Sequence, residues 1–215
     1  DANPGLSSPG QMSNVTISNN FVNVSGTSVY AIETGRAVDF FITDNNLTVI
    51  GSTGPSGGIL RLEPGTNFTT VGNNTLEGYG SAGEQIIGLY SRGLTSNRVN
   101  SNNVYERNVL RIKSGSSLGG SSKGIFLEES VPGPTIRYNN ITMTSRGISI
   151  RGIDLGSSIS NVLTLDHNIV SLLPNGTAGS NLSGIALTIP TGTSSGSYNN
   201  NTIVLNGTGT AVFVN

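Results

Sequence analysis

Seven side chains that could grip or cut a polar ligand fall on short, similarly built runs: Glu33, Arg61, Glu63, Tyr90, Phe126, Glu128 and Arg151. The runs are Gly58-Ile59-Leu60-Arg61-Leu62, Gly124-Ile125-Phe126-Leu127, Gly147-Ile148-Ser149-Ile150 and Gly184-Ile185-Ala186-Leu187. With Leu60, Leu62, Ile125, Leu127, Ile148, Ile150, Ile185 and Leu187 facing inward, alternation sends Arg61, Glu63, Phe126, Glu128, Ser149, Arg151, Ala186 and Thr188 outward. Glu33 and Tyr90 join that row. Carboxylates, guanidinium groups and aromatics in one line suit sugar binding. Cutting a sugar chain would need two carboxylates about 5 Å apart for retention, or about 6.5 to 9.5 Å for inversion. Glu33 and Glu63 sit on successive repeats, roughly one strand spacing (~4.8 Å) apart. Any row of exposed glutamates would satisfy that test, so the row is assigned to ligand binding and no residue to catalysis.

The elements that carry the row repeat. A paired polar dipeptide precedes an apolar residue at Asn19-Asn20, Asn45-Asn46, Asn73-Asn74, Asn102-Asn103, Asn139-Asn140, His167-Asn168 and Asn200-Asn201, in steps of 26, 28, 29, 37, 28 and 33 residues. A period near 30 with variable insertions marks a solenoid. Each pair is preceded by a short alternating run, such as Phe40-Phe41-Ile42 or Leu163-Thr164-Leu165. A second follows it, such as Leu47-Thr48-Val49-Ile50 or Ile203-Val204-Leu205. Both have the period of two that belongs to strands. The Gly-led run is the third strand of each repeat, with Gly, Asn and Ser turn chemistry between strands. No stretch of 10 to 12 residues carries a helical stripe.

Three strands per coil, an Asn at a tight turn and Gly-apolar-x-apolar runs together resemble the right-handed parallel β-helix of pectate-lyase-like proteins. The resemblance runs from about Ser13 to Asn215 and is architectural. It implies an all-β fold of about seven coils, a rod of about 30 Å at ordinary strand spacing. It also implies an Asn ladder, whose side-chain amides satisfy one another and the local backbone. The expected ladder is Asn20, Asn46, Asn74, Asn103, Asn140, Asn168 and Asn201, with His167 as one more polar corner residue. Enzymes of this fold work in a groove on the outer face of one sheet, between long turn insertions. Here that points to the Gly-led sheet, flanked by the insertions Ser52 to Gly57, Ser114 to Lys123 and Pro174 to Ser183.

Sharper enzyme signatures fail. Arg111-Ile112-Lys113 matches one polygalacturonase segment, but the Asn-Thr-Asp, Asp-Asp and Gly-His-Gly motifs of those enzymes are absent. Asp39, Asp44, Asp154 and Asp166 are spread over different runs, so no calcium cluster forms. Asp166-His167 lacks the Pro and Glu of the Asp-Pro-His-Glu motif of alginate epimerases. His167 is the only histidine and cysteine is absent, so neither a multi-histidine nor a thiolate metal site is available within one chain. No metal and no cofactor is expected.

Composition sets the remaining bounds. Gly (30), Ser (29), Thr (22) and Asn (26) make up half of 215 residues, charged residues are 11% and the formal net charge is −1. Regular apolar placement argues against disorder, and the near-neutral charge against a nucleic-acid partner. No run of about 18 apolar residues offers a membrane span. Residues 1–12 read as a leader or strap, and 13–215 as one domain. The chain finishes within the apolar run Ala211-Val212-Phe213-Val214-Asn215, which is read as the cut end of a longer surface or autotransporter-type passenger, or as an end available for head-to-tail self-association. Ten Asn-x-Ser/Thr sequons occur, and Asn175 and Asn181, in an insertion, are the glycosylation candidates. The expected role is a non-catalytic extracellular or cell-surface module for adhesion, binding a polysaccharide or host-surface ligand. The alternatives are a polysaccharide-active enzyme and a filament subunit.

Overall fold

A computed structural model describes residues 12–51, 57–80, 85–93, 99–114, 121–128, 132–145, 149–156, 163–174, 181–187, 196–207 and 209–214; the side chains of 114, 145, 213 and 214 are not described. Residues 1–11 of the leader, the cores of the three insertions, Asn175 and Thr188 lie outside those residues. Every regular element among the described residues is a strand. Three seven-stranded sheets run the length of the molecule, and a two-stranded pair, Met12–Ser13 with Ala37–Val38, lies at one end. Each strand pairs in parallel with its counterpart one coil away, so the chain is a parallel β-solenoid.

The first sheet holds the strands before each Asn corner, such as Val104–Glu106 and Thr135–Arg137. The second holds those after it, such as Val109–Ser114 and Asn140–Ser145. The third holds strands such as Gly58–Leu62, Ile87–Arg92, Ser121–Glu128, Ser149–Leu155 and Asn181–Leu187. Pairing is in register, so like side chains stack: Leu47, Leu76, Leu110, Ile141 and Val170 form one inward column. All five are fully buried. Dispersion and burial therefore accumulate along the axis, with each coil relying on its two neighbours.

The expectation of seven coils is corrected to about five turns. Each sheet has seven strands, but its two outer strands pair on one side alone. Val15, Ile17, Val22 and Val24 of the first coil, and Ile203 and Leu205 of the last, are only partly buried against the core. Between them lie five coils whose inward residues are closed off above and below.

The Asn ladder is present, and three of its rungs differ from expectation. It runs through Asn20, Asn45, Asn74, Asn108, Asn139, Asn168 and Asn201, each Nδ2 donating to the next Oδ1 at 2.9–3.0 Å. Each Oδ1 from Asn45 onward also accepts the backbone N–H of the Asn one coil earlier. The residue before each rung is left-handed: Asn19, Asp44, Asn73, Arg107, Tyr138, His167 and Asn200 all have φ between 50° and 58°. The rung is thus the residue after the left-handed corner. At 45–46 and 139–140 that makes the first Asn of the pair the rung, and leaves Asn46 and Asn140 exposed at the start of the next strand. Asn103 belongs to a different corner, after left-handed Asn102. There its Oδ1 accepts the N–H of Thr69 and its Nδ2 donates to the carbonyl of Thr66.

The glycines of the third sheet stack as well. A Cβ on Gly124 would lie 2.4 Å from the carbonyl oxygen of Gly152, and one on Gly152 would lie 2.6 Å from that of Gly184 and 2.2 Å from Val170. Only hydrogen fits between these coils.

Two substitutions separate ladder from bystander. Asn139→Ala leaves the buried N–H of Asn108 without its partner and cuts the side-chain ladder on both sides, and should cost about 3 kcal/mol. Asn140→Ala, one residue on and exposed, should stay within about 0.5 kcal/mol of the parent. Urea unfolding of the two variants measures the contrast.

Candidate functional site

The outer face of the third sheet is built by register. Glu33 pairs with Arg61, Arg61 with Tyr90, Tyr90 with Phe126 and Phe126 with Asp154. This central column crosses five successive coils. Beside it, Arg92 pairs with Glu128. On the other flank Lys123 pairs with Arg151 and Arg151 with Ser183.

The column is stacked along the solenoid axis. The Arg61 guanidinium lies over Tyr30 on one side (5.4 Å) and Tyr90 on the other (5.5 Å). Tyr90 stacks on Phe126 with centroids 5.3 Å apart and planes 5° from parallel. Lys123 Nζ sits 3.1 Å from the Phe126 centroid. Cation–π and ring stacking each contribute about 1 kcal/mol. The geometry has a chemical consequence. Both faces of Tyr90 and of Phe126 are already covered, and Tyr90 is only 6% exposed. A sugar ring therefore has no open face of Tyr90 or Phe126 to lie on, and meets their edges and charged groups instead.

Those groups form two ionic clusters. Arg61 is held by Glu33 at 3.2 Å and Glu63 at 2.5 Å. Burial, and a hydrogen bond shared with Glu33, raise the Glu63 carboxyl above the usual range despite the opposing pull of Arg61. Farther along, buried Asp154 receives Lys123 at 2.7 Å and Arg151 at 3.0 Å. Burial lowers the Lys123 ammonium, partly offset by Asp154. Between the clusters the Tyr90 hydroxyl donates to Glu128, which Arg92 also approaches at 3.7 Å. Burial first, then that bond, raises the Tyr90 phenol well above its ordinary value. Glu33, Arg92, Glu128 and Arg151 keep the most exposed side chains, 36–49% accessible.

Six of the seven residues read from the sequence lie on strands of this sheet and Glu63 directly follows one, and together they occupy two flanks and a centre rather than one row. One run was misplaced. The Gly-led segment of the fifth coil is Gly152-Ile153-Asp154-Leu155, because Ile153 and Leu155 pair with Ile125 and Leu127; Gly147 and Ile148 lie outside the described residues. Arg151 therefore flanks the row in register with Lys123, and Asp154 takes the central position. Tyr30, Arg92, Lys123 and Asp154 were missed. Aligning Lys123-Gly124-Ile125-Phe126 with Arg151-Gly152-Ile153-Asp154 on the glycine would have found the last two.

The remaining candidates fall elsewhere. Arg111-Ile112-Lys113 lies on the second sheet, where Arg111 pairs with Glu77 at 3.1 Å. Asn181 is exposed at the start of its strand, and His167 occupies a left-handed corner. Among the described residues no group of three His, Cys, Asp or Glu side chains could hold a metal ion, and no helix is long and apolar enough to cross a membrane.

No protein-family model and no curated protein matches the chain. A solved structure does. It is that of the Streptococcus pneumoniae surface protein and adhesin PfbA, similar over 94% of this chain and 67% of that one, with a TM-score of 0.51 and 14% identity. At that identity the likeness to PfbA is one of fold.

The Glu63 shift fixes a pH dependence. A carboxyl whose folded pKa is raised contributes stability at pH below its unfolded value, and that contribution is lost as pH rises through the folded pKa. Glu63→Gln, a permanent mimic of the protonated acid, should match the parent in Tm near pH 4 and exceed it near pH 7. Thermal melts of the two proteins across about pH 4 to 7 check it.

Proposed function

We propose that this chain is a non-catalytic module of an extracellular or cell-surface protein, and that it binds a glycan or a host-surface ligand along the outer face of the third sheet. The observation that carries the reading is the five-coil strip from Glu33 to Asp154, whose exposed groups are the carboxylates Glu33 and Glu128 and the cations Arg92 and Arg151. A hydroxyl-rich ligand would be held there by charge-assisted hydrogen bonds rather than by ring stacking. The fold shared with a pneumococcal surface adhesin supports the location and the adhesive role.

An enzymatic reading has one observation in its favour, the Glu33–Glu63 pair with one raised carboxyl, since glycoside hydrolysis uses one protonated and one ionised acid. Arg61 argues against it. Its guanidinium contacts both carboxylates and occupies the position a scissile bond would need.

Incubation with neutral and acidic polysaccharides, with and without calcium, tests both readings when retained protein and released fragments are followed together. Retention without fragments is expected, and the double variant Glu128→Ala, Arg151→Ala should weaken it at least tenfold. New reducing or unsaturated ends, lost in Glu63→Gln, would establish an enzyme. Neither retention nor fragments would leave a structural role, such as end-to-end assembly.

A further inference from the structure

The left-handed corner before each ladder rung is a position with a clear local preference. Short polar side chains tolerate positive φ, whereas bulky ones adopt it at a cost. Four coils follow that preference with Asn19, Asp44, Asn73 and Asn200. Three successive coils break it with Arg107, Tyr138 and His167, at φ 53°, 57° and 51°. The three form a continuous stack: Arg107 lies over the Tyr138 ring at 5.4 Å, and Tyr138 stacks on His167 with centroids 5.1 Å apart. Asn200 extends the line, its Nδ2 3.3 Å from His167 Nε2.

The strip beside this stack is layered by charge. On the adjoining first-sheet strands, in register, lie Glu106, Arg137 and Asp166. Glu106 takes Arg137 Nε at 2.7 Å and Arg107 Nη1 at 3.3 Å, and Asp166 Oδ1 lies 2.9 Å from His167 Nδ1. The carboxylates are the more covered, 17% and 23% exposed, while Arg107, Arg137 and His167 stand out at 56%, 43% and 45%. The outer layer is thus mainly one of donors. It offers the free guanidinium N–H groups of two arginines, then the Tyr138 hydroxyl, the His167 ring edge and the Asn200 amide, at roughly one rung (~4.8 Å) per step.

We propose that this corner strip is a second binding site, for a sugar that carries a carboxylate. Arg107 and Arg137 take the carboxylate through the paired N–H geometry that guanidinium offers. Tyr138, His167 and Asn200 take the ring hydroxyls one and two rungs on. The carboxylate is either that of a chain-terminal sugar acid or that of a hexuronate within a polymer. The site is separate from the third-sheet strip and does not rest on it.

Isothermal titration tests the proposal with four ligands: a sialylated oligosaccharide and its desialylated form, and a hexuronate oligomer and its carboxyl-reduced form. At least one acidic ligand should bind and both neutral forms should not; the arm that binds names the source of the carboxylate. The triple variant Arg107→Asn, Tyr138→Asn, His167→Asn gives each corner a residue it favours. It should keep or raise the Tm while losing at least tenfold in affinity. Arg137→Gln leaves the stack intact and should weaken the acidic ligand with Tm unchanged. The third-sheet double variant Glu128→Ala, Arg151→Ala should bind that ligand as the parent does. Four results would overturn the site: no binding of either acid, equal binding of acid and neutral forms, parental affinity in the triple variant or Arg137→Gln, or loss of binding in the third-sheet variant.

Discussion

The corner at which the chain turns from the first sheet into the second is the constraint on which the rest depends. A coil can stack only if the backbone groups it exposes while turning find partners, and one asparagine per coil supplies most of them. Asn139 shows how. Its Nδ2 donates to the carbonyls of Tyr105 and Arg137 and to Asn168, while its Oδ1 accepts from the backbone and side chain of Asn108. Those bonds lock neighbouring coils to a common corner, and the common corner fixes the register of all three sheets. In-register pairing then makes columns of like side chains, inside as Leu47 to Val170 and outside as Glu33 to Asp154.

This dependence explains what the sequence disclosed. Period-two runs and recurring asparagines are direct images of strands and corners, so three strands per coil were legible. The exact rungs were not. The ladder position tolerates only Asn, because both the donor and the acceptor of its amide are used. The preceding position needs only a positive φ, and Asp44, Arg107, Tyr138 and His167 all supply it. Counting paired amides therefore followed the more permissive residue, slipped by one at Asn46 and Asn140, and at Asn103 took a second corner for the first. Coil number failed for another reason: a strand at either end of a sheet has the sequence of an inner one but is covered on one side only.

The candidate site was legible as a set of residues and not as a geometry. Alternation correctly sends Arg61, Phe126 and Glu128 off the third sheet, but it does not say that side chains in adjacent coils will lie on one another. Parallel in-register pairing brings Arg61, Tyr90 and Phe126 within stacking distance along the axis, and this consumes the ring faces that sugar recognition commonly uses. Asp154 was invisible to a reading anchored on Gly147, because the stacking glycine of that coil is Gly152. A Cβ there would strike both a carbonyl and Val170, a steric criterion that spacing alone does not reveal.

A solenoid of this kind separates what it must keep from what it can change. The rung asparagines, the stacked glycines and the inward apolar columns are fixed by neighbours on both sides. The outward residues and the left-handed corner are fixed by backbone conformation alone. A corner occupied by Asn, Asp or Gly meets the conformational requirement at least cost, so a larger side chain there calls for some compensating interaction. Stacking within Arg107, Tyr138 and His167 provides part of it. Yet stacking by itself would not require that the guanidinium groups face solvent while Glu106 and Asp166 lie beneath them. The ion pairs to Glu106 and Asp166 hold that layering in place, and it presents donors outward, as recognition of an anionic ligand would need.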